Sequence, residues 1–114
     1  MHQHDKIRLQ HMLDAAMEAV EFAAGKSRKD LDSDRKLTLA IIKSIEIIGE
    51  AASKVTETRR AENDNIPWKD VVSMRNRLTH DYFDVNLDVV WETIQTDIPD
   101  LIKTLDKIIQ QEEL

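Results

Sequence analysis

The stretch DRKLTLAIIKSIEIIGEAASKVTET, Asp34 to Thr58, decides how the rest of the chain reads. Its apolar residues Ile41, Ile45, Ile48, Ala52 and Val55 recur at steps of three and four, with Leu37, Ile42 and Ile47 widening the stripe. That spacing marks one face of an α-helix, not the alternation of a half-buried strand. Gly49 interrupts the pattern at a cost of about 1 kcal/mol relative to Ala. Close packing of a second helix is the simplest use for a missing Cβ at that point.

Working outward, the same periodicity appears on both sides. Upstream, Asp5 to Ala24 carries Leu9, Leu13, Ala16, Val20 and Ala23 on one stripe, and Gly25 is placed to stop the helix. Lys26 to Ser33 is polar and reads as a loop, with Asp32 or Ser33 as candidate caps for the helix that follows. Downstream, Arg59 to Asn65 is rich in turn formers, and Pro67 opens a third helix through Trp68, Val71, Val72, Arg75 and Leu78 towards His80 and Tyr82. Phe83 to Asn86 breaks the pattern and offers Asp84 or Asn86 as the next cap. The last stripe, Leu87, Trp91, Ile94, Ile98, Leu101, Leu105 and Ile108, stays in phase across Pro99. It predicts one kinked helix, or two stacked end to end with Asp97 capping the second.

Amphipathic helices with short connections predict an all-α, up-down-up-down four-helix bundle with a kinked or split C-terminal helix, as a single domain over residues 1–114. Trp68 and Trp91 are expected to anchor its core. The seven-residue spacing on the second and fourth helices could also form a seam with a second copy.

Composition narrows the function classes. In 114 residues there are 16 Lys+Arg against 22 Asp+Glu, a net charge of −6, with 41% hydrophobic and 33% charged residues. An acidic domain is not a bulk electrostatic binder of nucleic acid, so any RNA contact needs a local basic patch. At 4% aromatics the chain lacks a stacking platform for single strands. With no cysteine there are no disulfides, thiolate metal sites or Cys nucleophiles. No run approaches the ~20 apolar residues of a membrane span, and the polar start Met-His-Gln-His-Asp-Lys is unlike a signal peptide. A soluble, cytoplasmic protein is expected.

The usual catalytic motifs are absent: there is no Gly-rich phosphate loop, H-E-x-x-H pair or G-x-S-x-G elbow. His2, His4 and His11, with Asp5, lie near the N-terminus, but solvated surface is the expected state and no metal or cofactor is implied. One segment stands out. Met74 to Asp84 reads MRNRLTHDYFD and holds Arg75, Arg77, His80 and Tyr82. On a regular helix Arg75 and Tyr82 share a face, whereas His80 is displaced from Arg75 by about 140°. Both reach one substrate only if the helix ends near Thr79 or if a partner subunit completes the site. Arginine and histidine together are a sufficient minimum for cleaving RNA without metal. The imidazole, with an unperturbed pKa of about 6.5, takes the proton of the 2′-hydroxyl. The guanidinium holds the phosphate oxygens, and the nucleophile belongs to the substrate.

The run R-N-R-L-T-H-D-Y resembles the R-x-x-x-x-H-x-Y signature of HepT-like toxins, within the HEPN superfamily of small helical ribonucleases. The segment SIEIIGEAASKV (Ser44 to Val55), the IPW of Ile66 to Trp68, the RNRLTHDYFDVN core and the VW…DIPDL tail (Val90 to Leu101) resemble the same family in the same order. The resemblance implies a HEPN-like bundle and a metal-independent endoribonuclease, the toxin of a type VII-like toxin–antitoxin pair. It implies Arg75 and His80 as the catalytic pair in a groove between two protomers of a homodimer, with Asn76 and Tyr82 supporting. It also implies Tyr82 as the residue that a cognate nucleotidyltransferase antitoxin modifies with AMP. Bulk and phosphate charge beside the RNA site would then silence the toxin. Lys69, Arg77, Arg59 and Arg60 are the candidates for a locally basic, RNA-binding groove, and Glu50 is a secondary candidate to face it. A different class of function is a non-catalytic partner that presents nucleotide or substrate to a minimal nucleotidyltransferase.

Overall fold

Helix α1, Gln3–Ala23, opens the chain in a computed structural model that describes residues 3–78 and 85–112. Its apolar side chains Leu9, Met12, Ala16 and Ala19 are wholly buried. It ends at Gly25, whose φ of 74° is the left-handed conformation expected of a helix-stopping glycine. The polar stretch after it is not a loop throughout. Ser27 and Asp30 form a reciprocal capping box that starts the short helix α2, Arg28–Ser33. Asp34 then caps α3, Arg35–Ser53, accepting a hydrogen bond from the Leu37 amide at 3.1 Å.

Helix α3 is the second arm, burying Leu37, Ile41, Ile45, Ile48 and Ala52 against α1. It stops at Ser53, earlier than its periodicity suggested, because Thr56 caps a new helix, α4, Glu57–Glu62. The expected Arg59–Asn65 loop therefore begins as helix: local capping outweighs the turn-forming composition. The third arm is α5, Trp68–Val72, and α6, Met74–Leu78. They are separated at Ser73, whose hydroxyl bonds back to the Lys69 carbonyl at 2.8 Å. Such back-bonding bends helices.

The fourth arm starts with α7, Leu87–Glu92, capped by Asn86. It passes through a π-helical turn, Thr93–Asp97, into α8, Ile98–Glu112. The expected irregularity at Pro99 is thus a π-bulge in one continuous helix. Proline lacks an N–H and its ring collides with the carbonyl four residues back. A wider turn just before it, with the Ile98 amide bonded to the Thr93 carbonyl, removes that conflict. Asp97 therefore lies inside the helix and not at a break.

The bulge also shifts the register. Val90, Ile94, Ile98, Leu101, Leu105 and Ile108 are buried, and Val90 takes the core position read for Trp91. Trp91 is half-buried at the core's edge, while Trp68 is buried with its indole N–H donating to the Asn63 carbonyl. The result is an all-α bundle in which α1 packs on α3 and α8, and α3 packs on α5 and α6. No helix among the described residues is long and apolar enough to cross a membrane.

Candidate active site

The geometry around Arg75 follows from three sequence choices. Pro67 and the Trp68 indole fix the start of α5. Gly49 lets α5 approach α3: a Cβ there would meet the Val72 and Val71 carbonyl oxygens at 3.2 and 3.3 Å. Met74 and Leu78 turn the apolar side of α6 inward. The intervening Arg75, Asn76 and Arg77 are then left on the outside.

Arg75 is half-exposed, and its Nε donates to Glu46 Oε1 on α3 at 3.0 Å. Glu46, Gly49, Glu50, Ser53, Val72, Arg75 and Asn76 line one shallow depression between α3 and the third arm. Asn76 and the secondary candidate Glu50 thus share a surface with Arg75. Glu46 was missed in the sequence. Its phase with Glu50 and Ser53 on the polar side of α3 was legible, but a pairing across 29 residues was not.

The other cations are not gathered there. Arg77 points to the opposite side of α6, into a pocket with Asp70, Asp97 and Asp100, and lies 3.6 Å from Asp97. Arg60 donates to the Ala52 and Val55 carbonyls and lies over the Trp68 ring at 5.8 Å. Arg59 is buried, paired with Glu112 and with Glu62. Lys69 is exposed on α5 and is not among the residues lining the depression. The basic candidates therefore serve separate parts of the surface and interior. His80 and Tyr82 lie outside the described residues. The segment that holds them is bounded by a direct bond, the Asn86 amide donating to the Leu78 carbonyl at 2.7 Å.

His4 and His11 are exposed, whereas Asp5 is buried and accepts from the Thr56 amide and hydroxyl at 2.9 and 2.7 Å. His2 lies outside the described residues. Among the described residues no group of three or more His, Asp or Glu is arranged to hold a metal ion.

Residues 12–108 match the sequence profile of the family described as "Ribonuclease HepT-like". The chain is 39% identical to the "Putative RNase TTE0752" of Caldanaerobacter subterraneus subsp. tengcongensis, over 92% of this chain and 94% of that protein. It is 34% identical to the "Probable ribonuclease HepT" of Thermococcus cleftensis, over 84% of this chain and 91% of the other. It is 31% identical to the "Putative RNase MJ1216" of Methanocaldococcus jannaschii, over 95% and 89% respectively. No solved structure matches the chain.

Proposed function

The chain belongs to the HepT-like ribonuclease family, and from that premise we propose that it is a metal-independent endoribonuclease built around Arg75 and His80. The observation that carries this reading is the placement of Arg75. Packing holds it at the surface in a depression shared with Asn76, and only its Nε is engaged among the described residues. Among the described residues nothing engages the Nη1–Nη2 edge, a planar fork that suits two phosphate oxygens.

The division of labour follows from the chemistry. His80 takes the proton from the 2′-hydroxyl as that oxygen attacks phosphorus, and a protonated imidazole returns one to the departing 5′-oxygen. Arg75 stabilises the charge that builds on the non-bridging oxygens. Asn76 supplies a further hydrogen bond to substrate. Two copies of the chain supply more than either alone: Leu39 and Ile47 are exposed on α3, the helix that carries Glu46 and Glu50. A homodimer burying them brings the two Arg75 side chains towards one groove. RNA is the substrate of this groove, and Lys69, exposed and among the described residues in no ion pair with the acidic side chains around Arg77, is the candidate to approach its backbone. The protein acts as the toxin of a pair, silenced when a cognate nucleotidyltransferase transfers AMP to Tyr82.

Expression of the chain alone should arrest growth. Co-expression with the nucleotidyltransferase should restore it, with AMP mapped to Tyr82 by intact mass and peptide sequencing. Growth without arrest by the soluble protein would reject the toxin role. A second reading, a non-catalytic partner that presents nucleotide to the transferase, is favoured by one observation: Arg59, Arg60 and Arg77 do not converge on the depression. It predicts complex formation with the transferase and no growth arrest.

A further inference from the structure

We propose that Glu46 is the positioning residue for Arg75, holding the guanidinium so that its Nη edge faces an incoming phosphate; the inference rests on the nuclease reading above. Arg75 sits on a helix of five residues, cut off from α5 by Ser73. A short element carrying a long side chain does not by itself fix a guanidinium plane, because the arginine stem has several freely rotating bonds. The contact with α3 supplies what α6 lacks. Glu46 lies in the middle of a 19-residue helix anchored by Ile45 and Ile48, both wholly buried. Its side chain is 31% exposed, against 50% for Arg75, and the stem is held by the helix while Oε1 accepts from Nε at 3.0 Å. Gly49, one turn further on, admits the α5 backbone and thereby brings α6 within reach.

The choice of nitrogen matters. A carboxylate across Nη1 and Nη2 would occupy the edge that matches phosphate. Binding at Nε fixes the plane and leaves that edge for substrate. The opposite role would have the opposite signature. A carboxylate that merely sits beside the cation lowers the local positive potential and repels RNA, so removing it would tighten binding and leave the rate unchanged or raised.

The test compares Glu46→Ala with Glu46→Gln, the second of which keeps an Oε1 acceptor and loses the charge. With wild type assayed in parallel, Glu46→Ala should lower kcat about 10- to 100-fold with KM altered less than about threefold, as loss of alignment does. Glu46→Gln should recover most of that loss. In parallel, the Arg75 Nε–H resonance, assigned by its disappearance in Arg75→Lys, should be protected from exchange in wild type and Glu46→Gln but not in Glu46→Ala. Unchanged or raised kcat in Glu46→Ala, equal loss in both variants, or an unprotected Nε–H in wild type would each overturn the positioning role. Wild type whose Nε–H is protected from exchange yet which cleaves no RNA would instead overturn the nuclease reading, leaving the Glu46–Arg75 contact itself in place.

Discussion

Arg59 and Arg75 carry the same guanidinium, and their surroundings give them different work. Arg59 is buried and meets Glu112 and Glu62, while Thr56, whose hydroxyl accepts from the Arg59 amide, donates to the buried Asp5. This chain of bonds ties the start of α1, the short α4 and the end of α8 at one end of the bundle. Removing one partner of a buried pair leaves the other uncompensated. Glu112 and Glu62 are partly exposed, which moderates the cost. Arg59→Leu should therefore destabilise by about 2 kcal/mol, read from urea melts, with no direct effect on the depression around Arg75. At Gly49 the constraint is steric. Ala would gain about 1 kcal/mol of helix propensity against a contact with backbone oxygens. Gly49→Val adds two further methyl groups to a Cβ already tight against those oxygens, and should cost about 1–3 kcal/mol in the same melts. The close approach at Gly49 was legible as a break in an apolar stripe. Arg59 was not, because a charged residue in a turn-rich stretch gives no sign that its partners arrive from residue 112.

At the scale of elements, the arms were legible because apolar residues at steps of three and four report a buried face whatever lies at the ends. Boundaries were less so. Short helices α2 and α4 arise from single caps at Ser27 and Thr56 inside stretches whose composition suggests loops. The π-turn was visible only as a stripe continuing through Pro99. Its consequence, Val90 rather than Trp91 in the core, depends on one residue's worth of rotation that periodicity alone does not encode. A π-turn holds one residue more than the α-turn it replaces. Deleting Gln95 together with Pro99→Ala should then convert it to regular helix with the core positions kept. That variant should melt within a few degrees of wild type. Deleting Lys103 from the regular α8 should rotate Leu105 and Ile108 out of the core and abolish cooperative unfolding. Equal melting of the two deletion variants would show that the bulge does not set the register.

At the scale of the whole molecule, an acidic chain of net charge −6 has, on the reading proposed, to hold a polyanion. The described part of the candidate site holds Arg75 beside Glu46 and Glu50, with Arg59, Arg60 and Arg77 engaged elsewhere. RNA affinity should therefore depend only weakly on salt, with a log–log slope near the value of about −0.7 per neutralised phosphate for one or two phosphates. Titrations between low and moderate salt would check it, and a steep slope would mean a basic groove that these residues do not account for. The motif R-x-x-x-x-H-x-Y was legible as chemistry because its residue types suffice for one reaction. The groove around it was not, because it joins helices distant in sequence and, on the reading proposed, two copies of the chain.

RNA cleavage by the purified protein in excess EDTA, compared with Arg75→Ala and His80→Ala proteins of unchanged helicity, tests the assignment most directly. Wild type should cleave, and each substitution should slow cleavage by about 10²-fold or more, the usual contribution of a positioned acid–base group or charge-stabilising donor. Cleavage by His80→Ala or Arg75→Ala at the wild-type rate, or wild-type cleavage that vanishes on chelation, would contradict it.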